Sequence, residues 1–134
     1  MAMGLNDNSH QTKKNHTFLQ SCSHALEGLK WTFQDEANFK RHLSIAVLVL
    51  LFGLLFQVSK LDWLWLIVVI FLVLIAELWN TAVEYIVDLL VQKHYDPLAK
   101  KIKDVSAAIV LVAALLAVVV GLIVFVPHLG NLFH

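Results

Sequence analysis

Glu77, Asn80, Glu84 and Asp88 follow one another at intervals of three and four inside a stretch that is otherwise apolar from Leu61 to Val91. On a helix advancing about 100° per residue, Asn80, Glu84 and Asp88 fall at about −60°, −20° and +20° from Glu77, so they form one polar stripe. Leu78, Val83, Ile86, Val87 and Leu90 cover the remaining faces. An ionised carboxylate in mid-membrane costs on the order of 3 kcal/mol on insertion scales, so a row of them needs a purpose. A snorkelling helix end or a polar seam between subunits accounts for Asp88 but poorly for Glu77. Asp35 and Glu36 stand just before the first apolar block, and Lys103 with Asp104 opens the third. Carboxylates, an amide and lysines at one interface suit Mg²⁺ with a phosphate-bearing ligand, because Mg²⁺ takes oxygen ligands and keeps substrate phosphates and water in its shell. Glu77 lies roughly 10 Å deeper along the helix axis than Glu84. There it could accept a proton from a lipid hydroxyl arriving from the bilayer. Phosphoryl transfer is one reaction class for such a site; ion or proton translocation would use the same groups.

The elements that must hold this stripe are helices in a membrane. The chain has 134 residues, 59% of them hydrophobic, and a mean hydropathy of +0.73. That is short for several domains and too apolar for an ordinary soluble one. Residues 1–16 are polar and read as a disordered tail, with Met1 and Ala2 preceding a second possible start at Met3. No basic-then-apolar signal-peptide pattern occurs there. Residues 17–134 read as a single all-α membrane domain. From Phe18 the apolar residues Leu19, Cys22, Ala25, Leu26, Leu29 and Phe33 share one helical face. They predict an amphipathic surface helix over about 17–34, lying in the membrane interface or packed on a partner. Three spans are expected at about 38–59, 62–91 and 97–127. Trp63 and Trp65 stand where an aromatic belt would sit. Asp96 before Pro97 has the form of an N-cap with proline at the first helical position.

Orientation follows from Lys and Arg near the spans, which are enriched on the cytoplasmic side. Lys30, Lys40 and Arg41 precede the first span, and Lys93, Lys100, Lys101 and Lys103 fill the connection between the second and third. Lys60 alone lies in the other connection, and only the histidines His128 and His134 follow the third span. The N-terminus and the polar stripe are thus expected to be cytoplasmic and the C-terminus outside.

Several classes are disfavoured. Balanced charge with grouped lysines gives no footprint for nucleic acid. Cys22 is the only cysteine, which excludes an internal disulfide and a cysteine cage for zinc. The histidines lack zinc-ligand spacing. No Walker or dinucleotide glycine motif is present, so an ATP site here is unconventional.

The run Glu77-Leu78-Trp79-Asn80-Thr81-Ala82-Val83-Glu84-Tyr85-Ile86-Val87-Asp88, followed by Lys103-Asp104 and preceded by Glu36-Ala37-Asn38-Phe39-Lys40, resembles the prokaryotic diacylglycerol kinase and undecaprenol kinase family. The resemblance covers the chain from about Phe18 onward. It implies a homotrimer of three-span subunits with a surface helix, an active site shared between subunits, and Mg²⁺-dependent transfer of the γ-phosphate of ATP to a lipid alcohol. By motif position it implies Glu77 as catalytic base and Glu36 and Glu84 as holders of the metal ions bridging the ATP phosphates. Asn80 would support the site's geometry. Asp88, Lys103 and Asp104 would contribute to nucleotide binding, and Tyr95 would border the nucleotide.

The loop Asp96-Pro97-Leu98-Ala99-Lys100 is similar to the Gram-positive branch of that family. Undecaprenol is therefore the expected acceptor, with diacylglycerol the alternative. The chain departs from the diacylglycerol branch at Thr17, where that branch has an arginine, and at Ser106-Ala107, where it has Gly-Ser. Those departures bear on lipid contacts and leave the phosphotransfer groups intact. A competing class is a non-enzymatic ion-conducting or assembly subunit built on the same stripe; ATP dependence separates the two.

Overall fold

A computed structural model describes residues 17–92 and 94–130. The tail read over residues 1–16, together with Lys93 and His134, lies outside the described residues. Four helices follow in order: α1 Phe18–Asp35, α2 Ala37–Leu55, α3 Lys60–Val91 and α4 Pro97–Gly130. The last three are long and apolar enough to cross a membrane. They form an up-down-up arrangement in which α3 packs against both neighbours.

Helix α1 starts where the Thr17 side chain accepts a hydrogen bond from the Gln20 amide at 3.2 Å. It stops at Glu36, whose extended backbone (φ −100°, ψ 110°) breaks the helix for one residue before α2 begins. Most of its large apolar side chains are exposed in the single chain, Phe18 at 82% and Leu19 at 79% among them.

The span expected over 38–59 ends earlier, at Leu55. Hydropathy alone runs through this point, but Gln57 takes a left-handed conformation (φ 51°) and turns the chain. Ser59 then caps α3 in a reciprocal capping box with Asp62, the Ser59 hydroxyl lying 2.7 Å from the carboxylate. Such a box satisfies two amides that the helix start would otherwise leave open. Trp63 does not face outward as a belt residue would. Its ring lies over Gly53, where an added Cβ would sit 2.7 Å from the indole. Trp65 is half exposed. Val58, Leu66 and Val124 form the core at this end, with Phe56 and Phe125 packed on it.

A second core of Val73, Ala76, Val110 and Ala113 joins α3 to α4 further along. The start of α4 has the expected form: the Asp96 carboxylate accepts from the Leu98 and Ala99 amides at 2.7 and 2.9 Å. Pro127 lies within α4, which continues to Gly130 instead of stopping near 127. It forfeits one backbone bond only three residues from the helix end. Helices α3 and α4 have 32 and 34 residues, so each is roughly 50 Å long and projects well beyond a ~30 Å hydrocarbon core. Counting about 20 residues from the capped start of α3 puts the far edge of that core near Thr81. Glu77 then lies within hydrocarbon depth and Glu84 and Asp88 outside it.

Candidate functional site

The polar stripe of α3 is present as one surface, and its members differ in burial. Glu77 and Asn80 are buried, at 3% and 7% exposure, Glu84 is half buried and Asp88 is exposed. The Asn80 amide donates to the Glu84 carboxylate at 3.0 Å, the i,i+4 contact their spacing allows. This commits the amide nitrogen and leaves the buried Asn80 Oδ1 without a partner among the described residues.

Glu77 and Asn80 line a cleft of about 310 Å³ with Asn38 and His42 of α2 and small residues of α4, including Ala107 and Ala114. Glu36, Glu84 and the His42 ring lie within electrostatic reach of Glu77. Glu36 reaches this neighbourhood because of the break between α1 and α2. It is the N-cap residue of α2, yet its carboxylate caps no amide. That carboxylate lies near the Tyr85 side chain, with Asp35 and Glu84 within electrostatic reach of it. Helix α3 and the break between α1 and α2 therefore bring Glu36, Glu77, Glu84 and Asn80 into one electrostatic neighbourhood.

The remaining predicted residues lie further out. Lys103 is paired with Asp88 at 2.5 Å, across the connection between α3 and α4. Asp104 is paired with Lys100 at 2.5 Å along α4 and makes no described contact with the stripe. Tyr95 is 80% exposed in the connection. Both ion pairs are substantially exposed, so each contributes at most about 1 kcal/mol.

The donor set fits a hard divalent cation held jointly with phosphates. Glu36 offers a carboxylate free of capping duty, and Glu84 retains an oxygen beyond the one that accepts from Asn80. No cluster of three or more acidic, histidine or cysteine side chains poised for a metal occurs among the described residues. A short protein ligand set is what Mg²⁺ uses when substrate oxygens complete its octahedron.

Sequence reasoning missed His42 and Asn38 as cleft residues. His42 follows Phe39 by three residues and precedes Ala46 by four, so it continues the buried seam of α2. That spacing was the available signal. Ser106 was noted only as a departure in a motif; it is buried at 4%, with its hydroxyl unpartnered among the described residues.

Comparison with known proteins gives a consistent picture. The family model described as prokaryotic diacylglycerol kinase matches residues 23–125. An undecaprenol kinase of Bacillus subtilis is 37% identical over 125 residues, covering 93% of this chain and 100% of that protein. A diacylglycerol kinase of Synechocystis is 37% identical over 128 residues, 96% of this chain and 72% of its own length. The diacylglycerol kinase of Escherichia coli K12 is 28% identical over 112 residues, 84% of this chain and 91% of its own length.

Proposed function

The chain belongs to the prokaryotic diacylglycerol kinase family and is a multi-pass membrane lipid kinase, and from that premise we propose that it transfers the γ-phosphate of ATP to undecaprenol. The observation that carries the reading is the near-complete burial of Glu77 in a cleft it shares with Asn80, whose amide holds Glu84. A base there meets a hydroxyl that never leaves the bilayer, while the nucleotide stays in water. The relative of full-length coverage that is named an undecaprenol kinase supports this acceptor. Diacylglycerol is the second reading, because the Synechocystis and Escherichia coli relatives bear that name.

In the proposed reaction the acceptor hydroxyl gives its proton to the Glu77 carboxylate as its oxygen attacks the γ-phosphorus in line. The new O–P bond forms as the bond to the β,γ-bridging oxygen breaks, leaving ADP and undecaprenyl phosphate. Asn80 holds Glu84 in place through its amide. Glu36 and Glu84 would hold Mg²⁺, which offsets charge on the ATP phosphates when bound. Lys103 exchanges Asp88 for phosphate oxygens, and Asp104 and Tyr95 border the nucleotide. No phosphoenzyme is required.

The active assembly is a homotrimer with α1 lying in the membrane interface. The exposed apolar face of α1 supports that placement, and the unpartnered Asn80 and Ser106 oxygens support a site completed by ligand or neighbouring subunit. The lysine-bearing end faces the cytoplasm across a bacterial cytoplasmic membrane, and the C-terminus lies outside. The test is to give the purified protein γ-labelled ATP with undecaprenol and diacylglycerol separately and compare kcat/KM. A higher value for undecaprenol is expected; label in neither lipid would refute the activity, and preference for diacylglycerol would refute the acceptor.

A further inference from the structure

A second cavity, of about 320 Å³, lies between α2, α3 and α4 on the side of the cleft toward the α2–α3 turn. Its lining runs from Ala114 past Ala46, Leu66 and Val73 to Phe125, and among the described residues lining it His42 alone is polar. His42 and Ala114 also line the cleft that holds Glu77 and Asn80. The imidazole thus stands at the junction of an apolar compartment and a polar one. It is half buried, and no described hydrogen bond uses it.

The donors available in the cleft are few. The Asn80 amide nitrogen is committed to Glu84, and its free oxygen can only accept. Glu77 accepts when ionised. Asn38 is exposed at the cleft's edge, its side-chain oxygen accepting from Arg41 at 2.8 Å; its amide nitrogen is a donor, but Asn38 does not line the apolar compartment. A ring N–H of His42 is the remaining donor placed beside the apolar compartment. An attacking alcohol oxygen has a proton to give and two lone pairs. One lone pair must be aimed at phosphorus, so a donor to the other fixes the oxygen's orientation.

We propose that His42 is a specificity-determining residue that donates a hydrogen bond to the hydroxyl oxygen of a polyprenol whose first isoprene units, next to the hydroxyl, lie in the apolar cavity. This rests on the undecaprenol reading above and deepens it. A prenol has one polar group, its terminal hydroxyl, so a single donor at the mouth of an apolar cavity is the whole of its polar recognition. A diacylglycerol brings two ester carbonyls as well, and this cavity offers them no further donor. His42 keeps its proton throughout: the alcohol proton passes to Glu77, the alcohol oxygen bonds to the γ-phosphorus, and ADP departs with the electrons of the broken P–O bond.

The experiment measures kcat and KM for undecaprenol and KM for ATP in the wild type, His42→Leu and His42→Gln. His42→Leu preserves packing beside the cavity and removes the donor; His42→Gln restores an N–H of similar reach. Loss of one aimed donor predicts a fall on the order of 10²-fold in kcat for undecaprenol with His42→Leu. The ATP KM should stay unchanged, and His42→Gln should recover most of the loss. Wild-type turnover in His42→Leu would overturn the proposal, and so would a Gln variant no better than Leu. Those results leave the undecaprenol reading standing, whereas a wild type that phosphorylates diacylglycerol and no prenol removes the undecaprenol acceptor together with this proposal.

Discussion

The two ends of the helical bundle follow opposite rules. At the α2–α3 turn, polar groups are satisfied and apolar ones interlocked. Ser59 and Asp62 close each other's open groups, the Trp63 ring seats on Gly53, and Leu66 is 1% exposed. At the other end Glu36 declines to cap its helix, Glu77 is buried without a described hydrogen bond, and the Asn80 and Ser106 oxygens lack partners. A buried unpartnered polar atom costs about 1–3 kcal/mol, and a folded chain carries such groups where ligand or neighbour completes them. The contrast separates the part of the molecule that holds the fold from the part held open for chemistry.

Substitutions at each end should therefore fail in different ways. Glu36→Gln and Glu84→Gln, at the open end, should each lower kcat/KM for Mg-ATP by about 10²-fold, the loss expected when one charge-stabilising group is removed. Thermal unfolding should hardly change. A steady-state titration of ATP and Mg²⁺ alongside a melting curve reads both, and a collapsed melting temperature with normal kinetics would reverse the assignment of the two ends. Gly53→Val, at the closed end, forces the Trp63 ring to move and should cost about 1–3 kcal/mol of stability. Turnover per folded molecule should persist, and an unshifted melting curve would show that the ring yields freely. Asp62→Ala removes half of the capping box and should cost about 1 kcal/mol with no kinetic effect, which the same melting assay detects. The smallest effect belongs to Asp88→Asn. Its exposed pair with Lys103 contributes at most about 1 kcal/mol, so any large change should fall on ATP affinity instead of stability.

The fold was legible where a single helix decides it. Hydropathy and periodicity locate the long helices, and the Asp96-Pro97 start follows from local chemistry alone. The end of α2 was not legible in the same way, because an apolar run masks a turn that depends on a left-handed Gln57 and on Trp63 meeting Gly53 ten residues away in sequence. The Ser59-x-x-Asp62 box was present as a motif, and reading the span by hydropathy passed over it. In the site, the stripe from Glu77 to Asp88 is a property of one helix and reads directly. Its approach to Glu36 needs the chain break between α1 and α2, and the placing of His42 beside Glu77 needs three helices to enclose one cleft. The pairing of Lys103 with Asp88 bridges two helices, so no spacing rule within one helix announces it.

The buried carboxylate at the open end is the centre of the account, and Glu77→Gln tests it most directly. The measurement is transfer of label from γ-labelled ATP to undecaprenol, with Mg-ATP binding followed on the same purified sample. Loss of a general base should lower turnover by about 10²–10⁴-fold, while the protein remains folded and binds Mg-ATP as the wild type does. Wild-type turnover in the Gln variant would contradict the account.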